Sequence, residues 1–426
     1  MKDIELYSRL LGIKRPWYVK DVLYGEDPER IDVYLEHNPG ILLPCPVCDK
    51  YSPVYDHMEE REWQHLNTCH VSTFIHARLP RIECKDHGVK CIISEWSEPG
   101  SDMTIAFESH LISLEEECNI QGVFRLTDIS WDRCWGVMER AVQRGLIRKG
   151  KHIPEYIGVD EKSFSKGHKY ETLVCDIRKG TVEYVEDGRK QESLEKYFDR
   201  FNEEEREGIK AVTMDMWDPY IAATKEKVPE AEKKIVFDKF HVMRMIGEAV
   251  DKVRKKENKE LMENDQQCLK GTKYLWLYSY ENMPKHRREE FKVLKKLDLK
   301  VSRAWAIKEN LRNLWNYTRK KWALKFFKKW YFWATHSKLG PIIKVAKTIK
   351  KRLDNTLTYL DHHITNALSE SINGKIEKVK RMACGYRNRN HYRTAIYFHC
   401  GGLDLFPKGK TKLMGTQHVG ATHSKS

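Results

Sequence analysis

The sequence predicts a multidomain α+β protein, and three observations lead to this prediction. Two pairs of metal-ligand residues lie in the first hundred residues. Strand and helix signals alternate between residues 154 and 241, and a long segment of lysine- and tryptophan-rich helix signals follows them. Because the chain has 426 residues and 40% of them are hydrophobic, we expect roughly two to four domains, each with its own core.

Residues 1–100 are predicted to contain a zinc-binding module. Cys45 and Cys48 form one ligand pair, and Cys84 and His87 form a second pair with the same spacing. Two such pairs joined by a longer segment commonly hold one structural Zn²⁺ ion in tetrahedral geometry. Spacing alone leaves a reduced loop without metal as an alternative. It also leaves five other ligands open, which are His57, His65, Cys69, His70 and Cys91.

Residues 101–150 are predicted to form three short helices, at about 104–118, 120–126 and 130–145. Ser130 follows a short turn and is predicted as the N-cap of the third helix. This pattern indicates a helix-turn-helix DNA-binding domain, although a plain three-helix connector has nearly the same pattern. The third helix carries four arginines suited to phosphates and groove edges, which are Arg133, Arg140, Arg144 and Arg148.

Residues 151–243 are predicted to form the first part of an α/β domain. The signals give three strands, a helix, a strand, a second helix and a fifth strand, which is the order of the ribonuclease-H-like fold. Asp160 ends the apolar run 156–159, and Asp215 ends the run 209–214. In that fold, acids on the first and fourth strands lie side by side. A carboxylate at the tip of a buried strand is costly unless a cation lies against it.

Residues 244–360 are predicted to be helical and basic. Between the start of this segment and Arg352 there are 30 Lys and Arg residues against 11 Asp and Glu, a net charge of +19 (30 − 11), whereas the whole chain carries +14. Such a basic block is typical of a protein that binds a polyanion, most often nucleic acid, with a solvated lysine-rich surface as the alternative. Polar helix signals follow in 361–406, where Glu370 lies, and residues 407–426 are predicted to be a disordered tail.

The three acids Asp160, Asp215 and Glu370 predict a metal-dependent active site. If the fold brings them together, their oxygens make a hard ligand set that suits Mg²⁺ or Mn²⁺. A site of this kind is the core of a phosphoryl-transfer enzyme.

Four stretches of the sequence resemble motifs of the bacterial DDE transposases of the insertion-sequence L-three (IS-L-three) family. They are residues 157–161 (IGVDE), 213–220 (TMDMWDPY), 237–241 (FDKFH) and 365–376 (TNALSESINGKI). Each motif is short, but the set in this order is specific, and the similarity runs from about residue 10 to residue 406. The order of zinc module, helix-turn-helix and split ribonuclease-H-like domain is similar as well. One difference is that the zinc modules of the family usually end in a cysteine pair, whereas Cys84 is followed here by His87.

The resemblance implies a DDE transposase that binds the terminal inverted repeats of an insertion sequence and catalyses metal-dependent DNA strand cleavage and strand transfer. It implies that Asp160, Asp215 and Glu370 bind two Mg²⁺ (or Mn²⁺) ions, which support phosphoryl transfer without a protein nucleophile. Five further residues are candidates for orienting these acids or touching DNA, which are Asp238, His241, Asn366, Asn373 and Trp217. For Asn366 and Asn373 the alternative is ordinary helix-surface polarity, and for Asp238 and His241 it is a structural hydrogen bond.

The resemblance also implies that the basic helical segment is an insertion, which splits the catalytic domain into 151–243 and 361–406. The implied partners are double-stranded DNA, as inverted repeat and as target, and a second copy of the chain in a synaptic homodimer. Two other functions fit parts of the sequence. One is a structure-specific nuclease or resolvase on the same fold, and the other is a non-catalytic DNA-binding regulator derived from a transposase.

The sequence predicts a cytoplasmic, nucleoid-associated bacterial protein without membrane contact. Its 11 cysteines occur without a secretory signal at the N-terminus, so we expect thiols and metal ligands rather than disulfides. No apolar run in the sequence approaches the roughly 20 residues of a membrane span.

Overall fold

The computed structural model describes residues 3–26, 29–165, 169–364 and 367–407, with the backbone alone for residues 165 and 367–370. The chain divides into two compact units, Met1–Gly150 with Leu403–Ser426 and Lys151–Gly402. Both units contain helices and strands, so the predicted α+β class is confirmed. Among the described residues, no helix combines the length and the apolarity that a membrane span requires.

The first unit contains a six-stranded sheet. Its strands are β1 Trp17–Glu26, β2 Glu29–His37, β3 Leu42–Pro44, β4 Tyr51–Thr68, β5 Val71–Cys84 and β6 Gly88–Cys91. The order is β1-β2-β5-β4-β3 with β6 beside β5; β2 and β5 run parallel, and the other pairs are antiparallel. In its core, the ring of Trp96 packs edge to face against those of Trp17 and Trp63, with ring centroids 4.9 Å and 5.5 Å apart. Because β3 ends directly before Cys45 and β5 ends at Cys84, both predicted zinc-ligand pairs begin at strand ends.

The described part of the first unit also has four helices, which are α1 Asp3–Leu10, α2 Ile105–Glu117, α3 Ile120–Thr127 and α4 Trp131–Lys149. The hydroxyl of Thr104 caps α2, and the Asn119 side chain caps α3. α3 ends where Asp128 adopts a left-handed conformation with φ 55°. Ser130 is the N-cap of α4 as predicted, although its side chain makes no capping hydrogen bond.

Glu115 is a buried carboxyl group in α2. Its side chain is fully buried, and neither oxygen has a hydrogen-bond partner among the residues that the structure describes. Burial raises the pKa of Glu115 well above its ordinary value, and the charge of Glu108 adds to the rise. The folded protein therefore holds this proton more tightly than the unfolded chain does. As a consequence, stability falls as the pH rises above the ordinary carboxyl pKa of 4.5.

We expect Glu115→Leu to raise the free energy of unfolding by about 1–3 kcal/mol at pH 8, because it removes a buried polar group that lacks a partner. The gain should be smaller at pH 5. At that pH the carboxyl group of the unfolded wild-type chain is still partly protonated, so keeping it protonated in the folded state costs less free energy. Urea unfolding of the full chain at both pH values measures this difference. Glu117→Gln, an exposed change in the same helix, is the control. An equal gain at both pH values would contradict the prediction.

The second unit contains a five-stranded sheet. Its strands are β7 Tyr156–Ser165, β8 Lys169–Asp176, β9 Thr181–Asp187, β10 Ala211–Met214 and β11 Ile235–Phe237, in the order β11-β10-β7-β8-β9. β7, β8 and β9 form an antiparallel meander, and β10 and β11 run parallel to β7. The five strands follow the predicted sequence order.

Four helices accompany this sheet in the described chain, which are α5 Gln191–Phe198, α6 Glu203–Glu207, α7 Asp218–Lys227 and α8 Ala231–Lys234. Leu194, Phe198 and Tyr220 pack with Val212 and Phe237 in one buried cluster. Proline in the first turn of α7 suits a helix start, because the amide groups there have no partner within the helix.

Between the end of β11 and residue 364 the chain consists of helices and the loops that join them. The helices are α9 Lys239–Met262, α10 Lys273–Leu277, α11 Lys285–Lys296, α12 Lys300–Leu311, α13 Lys320–Thr335, α14 Gly340–Lys351, α15 Leu353–Leu357 and α16 Tyr359–His362, with a 3-10 helix over Arg312–Asn316. They enclose a hydrophobic core of their own, in which Trp276, Phe291 and Trp330 are fully buried. Trp322 and Trp333 of α13 remain exposed.

Two last helices of the second unit return to the sheet. α17 Ala367–Met382 and α18 Arg389–Cys400 place Ile372, Ile376 and Ile396 in one core cluster with Leu173 of β8 and Val182 of β9. The region that contains Glu370 therefore packs on the same sheet as β7, although more than a hundred residues separate it from β11 in sequence. The predicted tail, from residue 408 onward, lies outside the described residues.

Candidate active site and metal centre

Asp160 and Asp215 lie at neighbouring positions on two paired strands. β7 and β10 run parallel with Gly158 opposite Thr213, and each acid follows its paired residue by two positions. The same register therefore brings the two acids side by side, one in the middle of β7 and the other directly after the end of β10. The sequence predicted this juxtaposition.

The carboxylate of Asp160 is held from two sides. Its Oδ1 accepts a hydrogen bond of 2.7 Å from the backbone N–H of Glu161, and its Oδ2 accepts one from the Asn373 side chain of α17. Burial raises the pKa of Asp160, and the charge of Asp215 contributes to the rise. Two neighbouring carboxylates are a natural ligand pair for a cation, whose charge offsets theirs.

Asp215 faces cationic and polar groups from α9. His241 Nε2 lies 2.7 Å from Asp215 Oδ1, and Arg244 Nη2 lies 3.7 Å from Asp215 Oδ2. Burial alone would lower the pKa of His241, but its hydrogen bond to the Asp215 carboxylate raises it overall. Asp238 is the buried N-cap of α9 and accepts a hydrogen bond of 3.0 Å from the Phe240 N–H. Its other carboxylate oxygen lies 3.8 Å from His241 Nε2.

The structure describes the three remaining candidate residues to different extents. Glu370 belongs to α17, but its side chain is outside the described part, and Asn366 lies outside it entirely. Trp217 is the N-cap of α7 and is 37% exposed. The structure thus brings Asp160, Asp215, Asp238, His241 and Asn373 together.

Sequence reasoning missed Arg244 as a neighbour of Asp215. It counted this residue only as the first of the basic segment. The signal that would have found it is helical spacing, because Arg244 follows His241 by three residues and so shares its face of α9.

The predicted zinc ligands of the first unit meet in one cluster. The ligand atoms of Cys45, Cys48, Cys84 and His87 all lie within 4.8 Å of one another. Cys48 Sγ is 3.7 Å from Cys84 Sγ, and His87 Nδ1 is 3.6 Å from Cys84 Sγ and 4.0 Å from Cys45 Sγ. A tetrahedral zinc site with Zn–S bonds of about 2.3 Å has edges of about 3.8 Å between sulfur atoms. The cluster therefore fits one structural Zn²⁺ ion.

The chemistry of the cluster also suits zinc. The hydrogen bond from His87 lowers the pKa of Cys84 to about 6, which favours the thiolate that zinc requires. The alternative ligands lie elsewhere: His57 contacts His37, and His65 contacts Thr104. The other three, Cys69, His70 and Cys91, are exposed and stand outside this cluster.

The four arginines predicted to contact DNA all make contacts within the first unit. Arg133 pairs with Asp102, and Arg140 and Arg144 both pair with the buried Glu108. Arg148 pairs with Asp404. Their side chains are 34%, 30%, 11% and 24% exposed in sequence order, so Arg133 and Arg140 present the most surface to a ligand.

Comparison with models of known protein families identifies the family of this chain. The family model of the ISL3 (IS-L-three) DDE transposases, described as a transposase, matches residues 157–396, more than half of the chain. The chain belongs to the ISL3 transposase family. A second model, the zinc-finger of transposase IS204/IS1001/IS1096/IS1165, matches residues 43–87 of this ISL3 member and thus covers all four residues of the cysteine and histidine cluster.

Individual relatives of this ISL3 transposase are similar over nearly its whole length. The transposase for insertion sequence element IS1557 of Mycobacterium tuberculosis is 24% identical over 424 residues, covering 91% of this chain and 93% of the relative. The transposase for insertion sequence element IS1001 of Bordetella parapertussis is 26% identical over 388 residues, covering 90% and 95%. The predicted function, an enzyme of DNA transposition, is therefore confirmed.

Proposed function

We propose that this ISL3 transposase cuts and joins DNA at a catalytic site made of Asp160, Asp215 and Glu370, which hold two Mg²⁺ or Mn²⁺ ions. The observation that carries the proposal is the meeting of separate chain segments at one point. The register of β7 with β10 places Asp160 beside Asp215, which directly follows β10, and α17 brings Asn373 into contact with Asp160. Oxygen ligands from acids on separate segments are the usual support for such ions.

Glu370 is proposed as the third carboxylate because of its position in α17. It precedes Asn373 by three residues, and residues three apart share one face of a helix. The contact between Asn373 and Asp160 therefore supports a site that includes Glu370.

The catalytic domain is proposed to be ribonuclease-H-like and split into 151–243 and 361–406. Three antiparallel strands followed by two parallel strands support this fold, as does the packing of α17 and α18 on the same sheet. Residues 244–360 are then a helical insertion. Its separate hydrophobic core and its positive charge suit a domain that contacts the DNA backbone.

The proposed ions would activate water or a DNA 3′-hydroxyl and stabilise the leaving oxygen of an in-line displacement at phosphorus. The protein's own residues fix the carboxylates for this task. Asn373 and the N–H of Glu161 orient Asp160, and His241 orients Asp215. Such positioning matters because phosphoryl transfer depends on alignment and electrostatic stabilisation rather than on a protein nucleophile.

Recognition of the inverted repeats is proposed for the first 150 residues. Residues 1–100 would hold one structural zinc ion on Cys45, Cys48, Cys84 and His87. Residues 101–150 would act as a helix-turn-helix, with α3 and α4 joined at Asp128 and with Arg133 and Arg140 as its best-exposed phosphate contacts. Synapsis of two element ends is proposed to need a homodimer.

We expect the full chain, mixed with DNA that carries its own element ends and Mg²⁺ or Mn²⁺, both to cut the ends and to join them to target DNA. Strand mapping on sequencing gels measures the two products separately. DNA with scrambled ends is the control and should stay uncut. Cleavage without any joining would favour a structure-specific nuclease and contradict the proposed strand transfer.

A further inference from the structure

One cavity of the second unit is lined by Trp217 and Asp218, which follow Asp215 by two and three residues, and it has no role in the mechanism above. Its volume is about 610 Å³, and its walls include Tyr170, Arg189, Lys190, Trp217 and Asp218. Pockets for small organic ligands have volumes of about 300–1,000 Å³. The cavity is therefore large enough for one nucleotide.

An aromatic and cationic stack forms one wall of this cavity. The guanidinium carbon of Arg189 lies 4.2 Å from the ring centroid of Tyr170 and 4.8 Å from that of Trp217. The indole N–H of Trp217 donates a 3.0 Å hydrogen bond to the carbonyl oxygen of Arg189. These contacts hold Trp217 in place while 37% of its surface stays exposed. A fixed, exposed indole is a platform on which any nucleic-acid base can stack.

The same wall connects directly to the acids of the catalytic site. Trp217 follows Asp215 by two residues, and Arg189 pairs at 3.2 Å with Glu161, the residue after Asp160. A nucleotide in the cavity would thus lie next to a phosphate bound at the acids.

The charges around the cavity favour an anion with an aromatic part. Asp218 is neutralised by an ion pair with Arg352, whose other guanidinium nitrogen donates to the Met216 carbonyl oxygen at 2.6 Å. Arg189 pairs with Glu161, whereas Lys190, which also lines the cavity, forms no ion pair with a carboxylate among the residues that the structure describes. A phosphodiester beside a stacked base satisfies both the lysine and the indole.

We propose that this cavity receives one unpaired nucleotide of the element end, displaced from the duplex next to the cleaved phosphate, with its base on Trp217 and its phosphate near Arg189 and Lys190. This inference rests on the proposed catalytic site. Enzymes that act inside a duplex often displace a base to reach their target, and stacking in a pocket offsets the loss of pairing. The cavity supplies such stacking on Trp217, two residues after Asp215.

The test combines protein variants with altered DNA. Trp217→Ala and Arg189→Gln remove the stacking wall, and Trp217→Phe keeps an aromatic ring. The matched control is Arg178→Gln. Arg178 stacks on Tyr156 at 4.3 Å and pairs with Glu155 at 3.2 Å, so it copies the contacts of Arg189 but does not line the cavity. Cleavage rates are measured on duplex ends and on ends with an abasic nucleoside scanned through the positions around the cleavage point.

On duplex ends, Trp217→Ala and Arg189→Gln should cleave about 5- to 150-fold more slowly than wild type, the range expected from loss of one base–aromatic stack. Trp217→Phe should recover most of the rate, and Arg178→Gln should match wild type. At one abasic position, the difference between wild type and Trp217→Ala should fall to within about twofold, because no base needs the platform.

Two results would overturn the inference. One is that Trp217→Ala cleaves duplex ends at the same rate as the wild type. The other is an equal loss on duplex ends and on every abasic end, which would mean that Trp217 serves only the fold. Asp160→Asn is measured in parallel. Cleavage by Asp160→Asn would reject the catalytic site itself. If Asp160→Asn is inactive and Trp217→Ala cleaves at the wild-type rate, only the cavity proposal is rejected.

Discussion

Replacing Asp160 by asparagine is expected to lower strand cleavage and strand joining by about 10³-fold or more. The change keeps the size and one oxygen of the side chain but removes the charge that would hold a divalent ion beside Asp215. Metal ions stabilise the charge of a phosphoryl-transfer transition state by several kcal/mol, and each 1.36 kcal/mol is a factor of ten in rate. Asp215→Asn and Glu370→Gln should give losses of the same order, because the three carboxylates act as one ligand set.

Single-turnover cleavage of labelled element ends measures these losses, and a gel-shift assay on the same DNA measures binding. Binding should stay near wild type, since the proposed end contacts lie in the first 150 residues. Asp199→Asn is the matched control, because Asp199 is an exposed acid of the same unit whose ion pair, within the described part of the chain, is with Lys227 at 2.8 Å. A fully active Glu370→Gln would remove Glu370 from the proposed triad, and a fully active Asp160→Asn would refute the site.

Replacing Cys84 by serine is expected to release the zinc ion and to abolish specific binding of element ends. Structural zinc contributes on the order of 10–16 kcal/mol of apparent folding free energy in small zinc modules. Cys84 lies closest to the other ligands, at 3.6 Å from His87 Nδ1 and 3.7 Å from Cys48 Sγ. Without its thiolate, the ends of β3 and β5 lose their common anchor.

Metal analysis of the purified chain should find about one zinc per chain in the wild type and much less than one in Cys84→Ser. Cys91→Ser is the matched control, since Cys91 is an exposed cysteine of the same sheet outside the ligand cluster. Non-specific DNA affinity should persist in both variants and fall steeply with salt, because phosphate contacts release counterions. Unchanged end binding in Cys84→Ser after verified zinc loss would contradict a role of the module in recognition.

Much of the second unit could be predicted because its signals are local. In the sequence, β7 and β10 appear as apolar runs, and each run is followed by an acid. The order of the strands and the positions of Asp160 and Asp215 therefore follow from the sequence. The short helices α6 and α8 were not predicted, because four or five residues are too few to display a helical period. In the structure α8 ends at Lys234, and the last strand begins at the next residue, Ile235.

Contacts between distant segments could not be predicted in the same way. The sequence marks Asn373 as a candidate for orienting an acid, but its specific hydrogen bond to Asp160 joins residues 213 positions apart and has no local signal. The stack of Tyr170, Arg189 and Trp217 likewise draws on three separate segments, and only the folded sheet makes it a cavity wall. The four arginines of α4 were expected to be free for DNA, but their partners, such as Glu108, lie on other segments of the same unit.

The sequence by itself determined the family, the zinc-ligand pairs, the order of the elements and the two acids that end apolar runs. These properties follow from residue types at fixed spacing, which local periodicity and metal chemistry constrain. The tertiary structure alone decided which of several cysteines and histidines share one cluster, which groups hold Asp160 and Asp215, and where a cavity opens beside them. The physical reason is that pairing register and packing bring together residues whose separation along the chain carries no signal of their contact.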